Sequence, residues 1–107
     1  SGTVTEGVVK LAYGGMSREE LEDLALWMQD FLDRETVDLA DGASASVDFE
    51  ASTIEIDLSI DGDSPGALTE IVGALLSRLQ ERGVLRTVPL VAADETSREP
   101  LTVLVPA

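Results

Sequence analysis

The fold of this chain is indicated most clearly by residues 53–83, TIEIDLSIDGDSPGALTEIVGALLSRLQERG. From Thr53 to Asp61, isoleucine and leucine alternate with acidic and small polar residues, the period of a strand with one buried and one solvated face. An Asp-Gly-Asp triplet then interrupts the pattern. Ser64 and Pro65 suit the N-cap and first turn of a helix, and Gly83 suits its C-terminal end. The segment therefore predicts a strand, a tight loop and a helix.

The residues before this segment predict a strand, a helix and a second strand. Val4–Tyr13 has the apolar alternation of a first strand. Ser17-Arg18-Glu19-Glu20 has the pattern of a capping box, in which the first and last residues satisfy each other's backbone N–H groups. An apolar stripe with helical spacing then runs to about Glu35. The next strand is expected at Ala45–Ala51, followed by a short hairpin turn.

The residues after this segment predict two more strands, Val84–Ala92 and Leu101–Val105, separated by a polar loop. Pro89 lacks a backbone N–H and favours an edge or a bulge for the first of them. The second helix is expected over Ser64–Arg82. The element order is then β-α-β-β-α-β with an added C-terminal strand. This order predicts an α+β, ferredoxin-like split β-α-β sandwich, with two helices on one face of an antiparallel sheet and the other face open.

Length and composition indicate a single folded domain over residues 1–107. The hydrophobic fraction of 44% is typical of a globular protein, so the chain has enough apolar residues for a core. No apolar run approaches the roughly 18 residues that suggest a membrane span. We therefore expect a cytoplasmic protein that does not bind membranes. Ser1-Gly2 is consistent with the remnant of a tag.

Charge and missing residue types exclude several functions. The chain has 21 acidic and 7 basic residues, a net charge of −14, which disfavours nucleic-acid binding because phosphate contacts need clustered Lys and Arg. It has no Cys and no His, which excludes disulfides, Cys/His zinc sites and imidazole-based triads. Asp57, Asp61 and Asp63 carry oxygen ligands suited to Ca²⁺ or Mg²⁺, but their spacing does not match an EF-hand loop. We expect no cofactor, no metal and no enzymatic activity.

The central hairpin predicts an acidic patch on the open face of the sheet. Its members are Asp48, Glu50, Glu55 and Asp57, on the side of the strands opposite the buried residues. One interpretation is a solvated surface that only keeps the domain soluble. The other is a docking site for a basic protein segment. Dimerisation of two sheets through this patch is disfavoured, because like charges would be desolvated. Trp27 is a further candidate for a partner contact if it lies beyond the core stripe.

The run Asp63-Ser64-Pro65-Gly66-Ala67-Leu68, with the helical stripe and the Gly83-Val84 pair after it, resembles the ACT regulatory domain over residues 54–92. In that family a D-x-P-G-x-L loop joins a strand to a helix. The resemblance implies a ferredoxin-like fold, association through sheet edges or helices, and an amino-acid ligand near the loop at a subunit interface. The ligand-binding positions that it implies are Asp63, Pro65, Gly66 and Leu68. Gly66 would let backbone N–H groups approach the ligand.

Two hypotheses of different classes follow for the function. The first is a small, acidic, non-catalytic interaction or regulatory domain that self-associates, as a homo-oligomer, or docks to a protein partner. The alternative is an ACT-type domain that senses an amino acid or another small ligand.

Overall fold

A computed structural model describes residues 3–62, 65–86 and 101–107 of the chain. In these ranges the elements are β1 (Val4–Ala12), α1 (Arg18–Glu35), β2 (Gly42–Asp48), β3 (Thr53–Asp61), α2 (Pro65–Glu81) and β4 (Leu101–Pro106). The predicted α+β class, with two helices and one sheet, is confirmed. No helix in the described ranges is long and apolar enough to cross a membrane.

The sheet is mixed, with the strand order β2-β3-β1-β4. The central β3 pairs antiparallel with both β1 and β2, as a split β-α-β unit requires. The prediction of a fully antiparallel sheet is wrong for one pair of strands, because β4 lies parallel to β1. The place beside β1 is taken by the last segment of the chain, which the sequence pattern predicts as an additional strand. That segment offers an unbroken series of backbone N–H groups from residue 101 to 105, whereas the expected strand is interrupted by Pro89.

The expected strand Val84–Ala92 falls largely outside the described residues. Residues 84–86 lie in the structure and form a bend instead of a strand, and residues 87–92 lie outside the described ranges. Val84 is held at this position by Tyr13, whose hydroxyl donates a hydrogen bond of 2.9 Å to the Val84 carbonyl oxygen.

The core lies between the sheet and the two helices. Ile54, Ile56, Leu58 and Ile60 of β3 are buried, and Val9 and Leu11 of β1 extend the same apolar surface. The helices cover this surface with the following buried residues: Leu21, Met28, Phe31 and Leu32 of α1, and Leu68, Val72, Leu75, Leu76 and Leu79 of α2. Since side chains of a strand alternate between faces, the remaining residues of each strand lie on the side away from the helices.

The capping box predicted for α1 is confirmed. The Glu20 backbone N–H donates to Ser17 Oγ, and the Ser17 backbone N–H donates to Glu20 Oε1, each at 3.1 Å. At the C-terminal end of α1, Thr36 is buried, and its hydroxyl donates a hydrogen bond of 2.6 Å to the Leu32 carbonyl oxygen. A side-chain hydrogen bond therefore satisfies a backbone group at each end of α1.

The second strand begins and ends three residues earlier than the sequence predicted. Asp48 Oδ1 accepts a hydrogen bond from the Ala51 backbone N–H at 3.1 Å, which closes a turn over residues 49–52. Ser52 ends this turn in the left-handed region, at φ 53°, and its carbonyl accepts from the Tyr13 N–H at 2.9 Å. Because the start of β2 reads Gly-Ala-Ser-Ala-Ser, it lacks the large apolar residues that mark a strand in sequence.

Candidate functional site

The candidate site is the side of the sheet away from the helices, which we call the open face. It consists of Val4, Glu6, Val8, Lys10 and Ala12 of β1, Ser44, Ser46 and Asp48 of β2, Thr53, Glu55, Asp57, Ser59 and Asp61 of β3, and Thr102, Leu104 and Pro106 of β4. Both helices pack on the opposite side. The described residues place no helix on the open face.

Strand register arranges the open face in rows that cross all four strands. One row runs Ser44, Asp57, Val8 and Thr102, and the next runs Ser46, Glu55, Lys10 and Leu104. A third row runs Asp48, Thr53, Ala12 and Pro106. Three of the five acidic residues of the open face, Glu55, Asp57 and Asp61, therefore lie on β3, with one each on β1 and β2. The exposed apolar residues Val4 and Leu104 lie on β1 and β4.

Three carboxylates form a cluster at one end of the open face. Glu6 lies opposite Ser59, so it is the diagonal neighbour of both Asp57 and Asp61. Diagonal neighbours on adjacent strands lie about 7–8 Å apart, which is close enough for like charges to repel each other. We call Glu6, Asp57 and Asp61 the acidic cluster. All three are exposed.

Exposed apolar side chains lie on the open face, and Val4 among them borders the acidic cluster. Val4 is 56% exposed and lies opposite Asp61, and Leu104 is 64% exposed and lies opposite Lys10. Val8 is half-buried and lies opposite Asp57. The open face thus combines negative charge with apolar surface in adjoining strands, an arrangement suited to a partner that carries both basic and apolar groups.

The structure places the four acidic residues proposed from sequence in two different settings. Asp48, Glu55 and Asp57 lie on the open face, but Glu50 lies in the turn after β2. The carboxylate of Asp48 also closes that turn, so it has a structural task. Glu55 is flanked in register by Ser46 and Lys10, and Asp57 by Ser44 and Val8. None of the four is therefore directly opposite another.

Sequence reasoning missed Glu6, which completes the acidic cluster. Its strand carries Glu6, Val8 and Lys10 on one face, a mixture of charge and apolar character that does not signal a site. Only the pairing of β1 with β3 brings Glu6 beside Asp57 and Asp61. The alternation within β1 was the available signal, but it gives no cross-strand register.

Three of the four positions implied by the ACT resemblance lie at the start of α2. Asp63 lies outside the described residues, Pro65 is the first residue of α2, and Gly66 is half-buried in its first turn. Leu68 is 1% exposed and belongs to the core. Ligand binding at this loop stays a prediction. Among the described residues, no group of three or more acidic side chains is arranged to hold a metal ion.

A second polar region joins the C-terminal ends of the two helices around an open cleft of about 360 Å³. The Arg78 guanidinium donates to both carboxylate oxygens of Asp38, at 3.1 and 2.7 Å, and to the Glu35 carbonyl oxygen. Arg82 pairs with the Glu35 carboxylate and lies 5.6 Å from the centre of the Phe31 ring. Both guanidinium groups already have carboxylate partners, so the region connects α1 to α2 and does not offer a free cation.

The hydrogen bonds between Arg78 and Asp38 also affect the ionisation of both groups. They hold the pKa of Asp38 below its ordinary value and raise the pKa of Arg78. Each group stabilises the charged form of the other, as expected for a bidentate pair. Both side chains therefore remain charged near neutral pH, and the pair persists.

Trp27 lies partly outside the core. Its ring stacks on that of Phe31, with centroids 5.3 Å apart and an angle of 15° between the planes. The side chain is half-buried and packs against the core cluster. This contact accounts for an aromatic residue at the position, and a partner contact at Trp27 stays a prediction.

Comparisons of the chain with protein-family models, curated proteins and solved structures found no match.

Proposed function

We propose that this chain is a non-catalytic interaction module that docks a basic protein partner on its open face. The observation that carries the proposal is the composition of that face. Its acidic members are Glu6, Asp48, Glu55, Asp57 and Asp61, whereas Lys10 is the one basic residue among the described residues of the face. This charge imbalance favours a partner that brings Lys or Arg.

Exposed apolar residues support docking over simple solvation. The open face exposes Val4 opposite Asp61 and Leu104 opposite Lys10, apolar surface that solubility alone does not require. Protein interfaces, in contrast, combine an apolar centre with charged groups at the rim. Val4, Val8 and Leu104 on β1 and β4 supply the apolar component, and the acidic residues, most of which lie on β3, supply the charged one.

The same charge argues against a second copy of this chain as the occupant of the open face. Two open faces packed together would bring two acidic clusters into contact, with a net charge of −14 on each chain. Desolvating like charges without cations is unfavourable. Self-association through another surface stays a prediction.

The test compares two variants that each lose four negative charges. The open-face variant carries Glu6→Gln, Glu55→Gln, Asp57→Asn and Asp61→Asn. The control variant carries Glu19→Gln, Glu22→Gln, Asp23→Asn and Glu70→Gln, all at exposed positions of the helices. Binding of a labelled peptide in which lysine and threonine alternate is measured by fluorescence anisotropy at low salt.

We expect the open-face variant to lose at least about tenfold in affinity, because its cross-interface charge complementarity is removed. The control variant should lose much less, since its charges are distant from the peptide. Equal losses in the two variants would show that the peptide responds only to total charge. That result would overturn the proposed function.

A further inference from the structure

We propose that the partner is held as an extended basic segment, which pairs with β2 and adds a strand to the edge of the sheet. This inference rests on the proposed function and specifies how the basic partner binds. Strand addition supplies affinity through main-chain hydrogen bonds and specificity through alternate side chains.

The first observation is that β2 is an edge strand with backbone groups directed outward. Within the described sheet it pairs with β3 alone. The Ala45 backbone N–H donates a hydrogen bond of 2.8 Å to Gln29 Oε1 on α1. This N–H therefore points away from β3. Since backbone direction repeats every second residue of a strand, Ala43 and Val47 share the orientation of Ala45.

The second observation is that, within the part of the chain that the structure describes, β2 has little of the protection usual for an edge strand. Natural edges are guarded by Lys, Pro, bulges or a covering element. Residues 42–48 contain neither Lys nor Pro, and they pair one to one with β3 without a bulge. The guard that the structure shows is Gln29, whose side-chain N–H₂ is held by Asp33 Oδ1 at 2.9 Å. A single side-chain hydrogen bond is readily exchanged for one from an added strand.

The third observation is that small residues separate the edge from the acidic residues of β3. Ser44 lies between the edge and Asp57, and Ser46 lies between the edge and Glu55. Strands are about 4.8 Å apart, so an added strand would lie about 10 Å from β3. Long Lys or Arg side chains can extend over the two serines and reach these carboxylates. The geometry selects a segment with a basic residue at every second position.

Charge decides between this occupant and a second copy of the chain. Pairing two β2 strands would place Asp48 and Asp57 of both copies on one continuous face, without a basic residue on either β2. An alternating basic segment instead places its cations on that face and directs its remaining side chains toward the helix layer. The occupant that fits is therefore a Lys- or Arg-rich extended segment of a partner protein.

The test uses two peptides of the same composition. In the first, lysine and threonine alternate, and in the second all lysines are contiguous, so both carry the same charge. Affinities are measured by anisotropy, and amide hydrogen exchange is followed by NMR. We expect the alternating peptide to bind about tenfold more tightly. It should also slow the exchange of the Ala43 and Val47 amides, and the contiguous peptide should not.

A proline variant tests the edge itself. Ala43→Pro removes an outward N–H and places a ring on the edge, at a position that does not contribute an N–H to the β2–β3 ladder. Ala43→Ser is the matched control, because it retains the N–H. We expect Ala43→Pro to abolish the preference for the alternating peptide, and Ala43→Ser to preserve it. If the proline variant fails to fold by circular dichroism, Gln29→Leu replaces it, and removal of the guard should strengthen binding severalfold.

The outcomes separate this inference from the proposed function. Strand addition is overturned if both peptides bind equally and neither Ala43→Pro nor Gln29→Leu changes their affinities. Docking on the open face still stands in that case if neutralising the open face weakens the binding of both peptides. If neutralising the open face has no specific effect, the proposed function itself fails. Concentration-dependent dimerisation that Ala43→Pro abolishes in the absence of peptide would identify a second copy as the occupant and overturn this inference.

Discussion

Gly73 and Gly83 show how backbone conformation sets the role of a single residue. Gly73 lies inside α2, and a Cβ built at this position meets no atom within 4 Å. A Cβ at Gly83 also meets nothing within 4 Å, but this residue adopts φ +79° after the helix ends. Both positions thus have room for a Cβ, and they differ in backbone conformation, which is helical at Gly73 and left-handed at Gly83. They form a matched pair for testing the structure at this scale.

We predict that Gly73→Ala raises the free energy of unfolding by about 0.5–1 kcal/mol, because alanine restricts the unfolded chain and favours the helix. Gly83→Ala should lower it by about 1 kcal/mol, because a side chain is disfavoured in the left-handed region. Denaturant titration of both variants measures the two changes. Destabilisation by Gly73→Ala, or no loss of stability in Gly83→Ala, would contradict the prediction.

At the scale of elements, the two helices are tied together by charged groups at their C-terminal ends. Arg78 of α2 bonds both oxygens of Asp38, which lies just after α1, and the Glu35 carbonyl oxygen at the end of α1. These bonds also satisfy an orphan carbonyl of α1. The link therefore fixes α2 against α1 on the side of the sheet opposite the open face.

We predict that this link makes stability depend on acid. Hydrogen bonds from Arg78 lower the pKa of folded Asp38 from its ordinary 3.8. The stabilisation is therefore present above about pH 4 and lost as the pH falls through the lowered value. Asp38→Asn should reduce the free energy of unfolding at pH 7 and have no effect in strong acid. Glu22→Gln, at an exposed position without a described ion pair, is the control, and an equal effect of the two substitutions would contradict the prediction.

Also at this scale, sequence periodicity predicted some elements and missed others for physical reasons. The confirmed elements β1, α1, β3 and α2 each have a strong apolar period or a defined cap. β2 was displaced because its small residues give no such period. The parallel pairing of β4 was missed because strand order depends on long-range packing, which a local pattern does not encode. The part of the site that lies on β3 followed from alternation, whereas Glu6 required the register of two distant strands.

At the scale of the whole molecule, the pairing of basic residues differs between the two sides of the domain. Two of the basic residues, Arg78 and Arg82, pair with carboxylates on the helix side. Lys10 is left to face the acidic residues of the open face. An electrostatic docking surface of this kind should bind a basic partner more weakly as salt increases, because exposed charges are screened over about 8–10 Å. This salt dependence belongs to the open face as a whole.

The most direct test of the central claim is an NMR titration of the ¹⁵N-labelled protein with the alternating lysine–threonine peptide at low salt. Chemical-shift changes should be concentrated on open-face residues of β2 and β3, including Ser44, Ser46, Glu55 and Asp57. Exposed residues of α1 such as Glu19 and Glu22 should change little. Shifts spread evenly over both sides of the domain, or concentrated on the helices, would contradict a docking site on the open face.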